Sequence, residues 1–273
     1  MRKYFIALII PLLPLLYIIA DAYYIHPGEF SAGHIIQTHL PALSYTFKKE
    51  PPANEQYIYF TFDDGPLNGS ENIDSVILAE KLKVSVFLVG EHVQKNRSVE
   101  NYFKYYEENP FIDEYNHSYT HAKNRYEKFY SNPGGVVADI LKNQAFLKLQ
   151  YKIVRLPGRN MWRIGNRKRD DVKSGSAAAD SLAQLGYKVI GWDLEWQHNA
   201  KTGSPVQTVS AMKTEIEERL KAGTTFAPGH IVILLHDQMF QKKWAGSELK
   251  QLLDELRKNP GYVFEQIRFY PAQ

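Results

Sequence analysis

Two carboxylates stand side by side at Asp63-Asp64, followed at once by Gly65-Pro66. On a continuing strand adjacent side chains point to opposite faces. At a turn imposed by Gly65 and Pro66 both can serve one centre, one binding a metal and the other handling a proton. The same residues could form an ordinary solvated turn, since Asp and Gly favour turns. The preceding Ile58-Tyr59-Phe60-Thr61-Phe62 shifts the reading, because it makes the carboxylates emerge from a core strand. His117 and His121 are four residues apart in His117-Ser118-Tyr119-Thr120-His121. On a helical turn both rings would face the same way and could share a metal ion. Ser118 occupies the place where His-Glu-x-x-His needs its glutamate, so this is not a zincin motif. Two His and one Asp leave coordination positions open, as a catalytic metal requires. His236 follows the apolar Ile231–Leu235, and an imidazole suits proton donation near neutral pH. Arg155 ends another short strand-like run and reads as a site residue or as a structural ion-pair partner. Asp193 and Glu195 share strand parity and could face a common site, with Trp192 and Trp196 on the other face.

Strand-like and helix-like segments must position these groups. Short runs rich in β-branched, aromatic or leucine residues lie at Tyr57–Phe62, Val84–Val89, Phe111–Tyr115, Lys152–Leu156, Tyr187–Asp193, Ile231–Leu235 and Tyr262–Ile267. Helical spacing separates them, as in Ile73/Val76/Ile77, Val136/Val137/Ile140/Leu141, Ala177–Leu185 before Gly186, Ile216/Leu220 and Leu249/Leu252/Leu253/Leu256. The alternation predicts an α/β fold with a mainly parallel sheet, and seven strands suggest an imperfectly closed (β/α) barrel. The chemically interesting residues fall at strand ends or just after them. In an α/β barrel those ends share one rim, so residues far apart in sequence converge there.

The chain has 273 residues, of which 44% are apolar and 23% charged, which describes a globular protein with room for one sizeable domain. A net charge of +3 is too small to argue for a nucleic-acid partner. With no cysteine, disulfides and thiolate metal sites are excluded, and any metal must be held by His and carboxylate. Arg2 and Lys3 precede an apolar run from Tyr4 to Ala20, and Ala20-Asp21-Ala22 has the small-x-small pattern of a signal-peptidase site. Residues 1–22 therefore read as a signal peptide or a membrane anchor through residues 4–20, placing the remainder outside the cytoplasm. Residues 23–55 read as a proline-containing connector, and residues 56–273 as the globular domain.

Taken in order, the motifs resemble the NodB-homology polysaccharide deacetylases, carbohydrate esterase family 4. Thr61-Phe62-Asp63-Asp64-Gly65-Pro66 matches the first family motif, Asn116–His121 the second, and Leu234-Leu235-His236-Asp237 the fifth. The resemblance implies a distorted (β/α) barrel and one divalent metal ion, often zinc, held by Asp64, His117 and His121. It implies Asp63 as general base, Arg155 orienting it, and His236 as general acid. The substrate would be an N-acetylated glycan, and acetate one product. Two motifs depart from the family pattern. The third usually reads close to Arg-Pro-Pro-Tyr-Gly, and here it is Arg155-Leu156-Pro157-Gly158-Arg159, so an aromatic of the site wall is missing. The fourth is compressed to Trp192-Asp193-Leu194-Glu195-Trp196, with Asp193 or Glu195 as the acid partnering His236. Competing readings are a metal hydrolase of another amide or ester on the same scaffold, and a carbohydrate-binding relative without turnover. The complete set of base, ligands and acid disfavours the second. An aspartyl-phosphate phosphatase fits less well, because Asp-x-Asp spacing is absent.

Overall fold

The computed structural model describes residues 55–272 apart from 173 and 242–246. The expected signal or anchor over 1–22, and the connector up to residue 54, lie outside the described residues. Among the described residues no helix is long and apolar enough to cross a membrane.

The centre of the domain is β1 (Gln56–Gly65), buried without a break from Ile58 to Asp63. A parallel strand covered on both faces needs a near-continuous apolar run, and Ile58–Phe62 supplies it. Its neighbours are β9 (His230–His236) along its whole length, β2 (Val84–Leu88) along its second half and β10 (Tyr262–Phe264) along its start. Outward from β2 come β3 (Ile112–Asn116), β4 (Ile153–Val154) and β7 (Lys188–Val189), all parallel. An antiparallel hairpin, β5 (Trp162–Ile164) and β6 (Arg167–Arg169), finishes that edge, and β8 (Leu194–Glu195) finishes the other beside β9. Nine strands thus follow the order β6-β5-β7-β4-β3-β2-β1-β9-β8, with β10 against β1. The sheet curls into a half-barrel, the expected architecture with ten strands among the described residues rather than about seven.

The outer face of the sheet carries Ile58, Phe60, Phe62, Val86, Leu88, Ile231, Ile233 and Leu235. Against it pack α1 (Ser70–Glu80) through Ile73, Val76 and Ile77, and α3 (Arg97–Glu108) through Tyr106. Beside them lie α7 (Val209–Ala222) through Met212, Ile216 and Leu220, and α8 (Glu248–Leu256) through its four leucines. Each fully buried leucine contributes about 1.5–3 kcal/mol. Between α1 and α3 runs the short α2 (Gly90–Val93). After β3 come α4 (Tyr126–Tyr130) and α5 (Pro133–Phe146), and α6 (Ser176–Gln184) precedes β7. The inner face holds Tyr59, Phe87, Tyr115, Val232 and Ile190, closed by Trp162, Phe226 and Tyr270.

The expected strand Tyr187–Asp193 divides in two. The Ile190 amide still donates to the Val154 carbonyl on β4, whereas the Asp193 amide donates to Val232 on β9. The chain crosses the mouth of the half-barrel at Gly191, where a Cβ would lie 2.1 Å from Asn160 Oδ1. Beyond it the chain pairs with β9, and β8 starts on the opposite edge.

Candidate metal and catalytic site

The end of β1 explains how neighbouring carboxylates reach one centre. Its pairing with β2 shifts register between Phe62 and Gly65, and Asp64 takes a left-handed φ of 68°. This bulge turns both side chains to the same side. The Asp64 carbonyl accepts from His92 Nδ1 on α2 at 2.8 Å. Asp63 stays in register with His236 on β9, so the two side chains share a face on strands about 4.8 Å apart.

Asp63 is buried and Arg155 wholly so. Arg155 Nη1 donates to Asp63 Oδ1 and to Thr61 Oγ1, both at 2.8 Å, and Nη2 donates to the Gly191 carbonyl at 2.7 Å. The guanidinium also lies 4.3 Å from the centre of the Phe87 ring. Burial lowers the Arg155 pKa, opposed chiefly by Asp63. Arg155 therefore fixes the base candidate while bonding to the crossing at Gly191 that closes the half-barrel.

The two histidines do not meet on a helical turn as their spacing suggested. Ser118 and His121 are left-handed, with φ of 69° and 50°, and a 3-10 turn begins only at His121. Asn116 Oδ1 accepts from the Ser118 amide, Ser118 Oγ from the His121 amide, and Asp139 on α5 from the amides of Tyr119 and Thr120. Held this way, the rings lie 5.2 Å apart.

His117 Nδ1 lies 2.9 Å from the Arg155 carbonyl oxygen. A carbonyl only accepts, so Nδ1 carries the proton and Nε2 of the neutral ring is a lone pair. Nε2 faces Asp64 Oδ1 at 3.4 Å and Asp63 Oδ2 at 3.7 Å. A lone pair opposite buried carboxylate oxygens is repulsive unless positive charge lies between them. Burial opposes the His117 cation, yet Asp63 and Asp64 raise its pKa. Burial likewise favours a neutral Asp64, yet contacts with His117 and His121 hold its carboxyl well below the usual carboxylate range. His121 Nε2 approaches Asp64 Oδ1 at 2.9 Å, but Oδ1 makes no well-aligned hydrogen bond among the described residues. One ligand atom from each of Asp64, His117 and His121 lies within 4.8 Å of the others. Ligands about 2.0–2.2 Å from a shared tetrahedral ion sit roughly 3.3 Å from one another, close to the 3.4 and 2.9 Å that separate Asp64 Oδ1 from His117 and His121. The donor set, the orphaned Oδ1 and the lone pair of Nε2 all fit a divalent cation.

The partner of His236 differs from expectation. Asp193 does not turn to it, because its carboxylate accepts from the amides of Phe226 at 2.7 Å and Val232 at 3.0 Å, with Arg169 at 3.5 Å. Asp193 is thus the clasp that joins the start of β8 to β9. Glu195 pairs with Leu234, two residues before His236, and so shares its face without bonding to it. His236 Nδ1 is buried with no hydrogen-bond partner among the described residues. His198 lies beside it, ring centres 4.8 Å apart.

Two neighbours, His92 and His198, escaped the sequence reading, and Asp237 of the fifth motif carried no role in it. Asp237 is wholly buried and accepts from Tyr106 at 2.9 Å and from Ser70. Burial, partly offset by those two donors and reinforced by Asp64 and Asp63, pushes its carboxyl up to about 7. A Cβ on Gly65 would lie 2.7 Å from Asp237 Oδ2, which explains the glycine beside the ligand.

The strand ends of the half-barrel thus gather a buried Arg–Asp pair, an Asp-His-His cluster and a histidine. A family model described as polysaccharide deacetylase matches residues 50–189, and the chain belongs to that family, carbohydrate esterase family 4. A chitin disaccharide deacetylase of Vibrio alginolyticus is 22% identical over 78% of this chain and 71% of its own length. Among solved structures, a Streptococcus mutans CE4 esterase superposes with a TM-score of 0.58 at 20% identity, covering 78% of this chain and 86% of that one. The catalytic domain of a peptidoglycan N-acetylglucosamine deacetylase from Eubacterium rectale gives 0.55 at 19% identity, over 81% and 93%. These superpositions show that the half-barrel is shared.

Proposed function

We propose that this protein hydrolyses the N-acetyl group of N-acetylated amino sugars in a poly- or oligosaccharide, with one divalent metal ion held by Asp64, His117 and His121. The observation that carries the reading is the buried Asp63, locked by Arg155 and paired in register with His236, directly beside the ligand cluster. Two imidazoles and one carboxylate suit zinc. A bound ion would polarise the acetamide carbonyl and make a water more acidic. Asp63 takes the proton of the attacking water as the new C–O bond forms. Arg155 keeps the Asp63 carboxylate in place through that transfer, and His117 is kept in its Nδ1–H tautomer by the Arg155 carbonyl. His236 delivers a proton to the departing nitrogen as the C–N bond breaks, giving acetate and a free amine.

The deacetylases among the relatives support a glycan substrate, and the Arg2-Lys3 head, apolar run and Ala20-Asp21-Ala22 support an exported protein that is periplasmic, extracellular or membrane-anchored. Acetate release on a panel of N-acetylated glycans tests the substrate class. Release from at least one sugar polymer by the native chain, with none from Asp63→Asn, is expected; no release from any glycan, with turnover of an unrelated amide, would assign the site to another substrate. N-terminal sequencing tests export: cleavage after Ala22, or an intact N-terminus in the membrane fraction, is expected.

A further inference from the structure

Gly158 has a φ of +61°, and a Cβ built on it would lie 3.1 to 3.3 Å from three ring atoms of Tyr126. The Tyr126 ring therefore occupies the space beside the Arg155 segment where the sequence leaves a wall without its aromatic. It arrives from α4, which follows directly on the His121 turn. The ring meets the His121 imidazole edge to face, with centres 6.0 Å apart and planes at 85°. It is half-buried. The ring is also braced. One turn further along, the Tyr130 hydroxyl donates to the Pro157 carbonyl at 2.7 Å. The Arg159 guanidinium lies 4.7 Å from the Tyr130 ring centre and 5.8 Å from that of Tyr126, and its Nη1 donates to the Gly158 carbonyl at 2.7 Å. Helix and motif segment are thus tied together on either side of Tyr126.

We propose that Tyr126 is a specificity-determining residue: its ring forms the wall of the site on the His121 side and contacts the sugar ring that bears the acetamide. This rests on the deacetylase reading. A pyranose offers a face of C–H groups, and a rigid aromatic with few rotamers covers it at little entropic cost. Gly158 is the counterpart, since any side chain there would displace the ring.

The test compares the native chain with Tyr126→Phe, Tyr126→Leu and Tyr126→Ala on two substrates. One is a tetramer of N-acetylglucosamine, and the other is p-nitrophenyl acetate, which has no sugar ring. Metal content is measured alongside. In Tyr126→Ala and Tyr126→Leu the ratio of kcat/KM on the tetramer to that on the ester is expected to fall about tenfold, mostly through KM, as loss of one aromatic contact implies. Tyr126→Phe keeps the ratio, and all variants keep the metal. An unchanged ratio in both Ala and Leu overturns the proposal. So does a parallel fall on both substrates with loss of metal, which would make Tyr126 a support for His121 only. If the native chain hydrolyses the ester but releases acetate from no N-acetylated oligomer, the deacetylase reading falls and this assignment with it.

Discussion

Replacing Arg155 with methionine would strip the buried Asp63 of its direct ion-pair partner and leave only the more distant His117 ring to face its charge. Both side chains are buried, at 0% and 4% exposure, and their contact is 2.8 Å. Removing one partner of such a pair costs about 3–5 kcal/mol, because the other keeps its desolvation penalty. The Gly191 carbonyl loses its donor in the same step, at about 1–3 kcal/mol. The expected loss is therefore at least about 4 kcal/mol, a large share of the roughly 5–15 kcal/mol that holds an ordinary domain together. Urea unfolding of metal-free protein at neutral pH, followed by tryptophan fluorescence, reads it without a contribution from metal binding. Adding Asp63→Asn to Arg155→Met removes the orphaned charge and should recover about 2 kcal/mol, since the lost Gly191 partner is not restored. The reasoning is refuted if Arg155→Met unfolds within about 1 kcal/mol of the native chain, or if the double variant is no more stable than the single one.

Asp63→Asn alone should lower deacetylation at least about a hundredfold while metal content stays unchanged, because Asp64 remains; this is read by acetate assay and elemental analysis. Since the metal-free cluster raises His117, metal binding must displace a proton from it, so affinity should fall as pH drops below that raised pKa. Calorimetry in buffers of different ionisation enthalpy should register proton release near neutral pH, and a pH-independent affinity between pH 5 and 8 would contradict the ligand assignment. Asp237 has a folded pKa raised to about 7, so its contribution to stability is complete below the unfolded value and is lost as pH rises through 7. Asp237→Asn keeps an acceptor for Ser70 and Tyr106, and its melting temperature should overtake that of the native chain as pH rises from 5 to 9; an equal pH dependence in both would rule this out.

Much of the site could be read from sequence because its chemistry is local. Asp63, Asp64 and His236 end strands whose apolar runs are unmistakable, and His117 follows β3 directly. Arg155 was placed at a strand end, and the structure puts it against Asp63. The rest depends on contacts that spacing does not encode. The β5–β6 hairpin carries Arg167-Lys168-Arg169, which lacks the β-branched residues that mark a strand, although Gly165-Asn166 between the arms was a usable turn signal. Tyr187–Asp193 looks like one strand because nothing in the sequence shows that its end pairs with β9 rather than with β4. Strand parity leaves Asp193 and Glu195 equivalent as partners of His236, because it ignores the amides of Phe226 and Val232 that claim Asp193. His92 and Asp139 sit on helices, where a polar side chain normally reads as solvated surface; each is bonded instead to the backbone of a ligand-bearing loop.

The central claim is that Asp64, His117 and His121 hold a divalent ion that hydrolysis of an N-acetyl group requires. The most direct measurement is acetate release from N-acetylglucosamine oligomers by the chain as prepared, after chelation, and after restoring one equivalent of zinc, with His117→Ala alongside. The account predicts equal amounts of acetate and free amine before chelation, loss of both after it, recovery with zinc, and neither metal nor turnover in a folded His117→Ala. Undiminished acetate release from metal-free protein, or from His117→Ala, would contradict it.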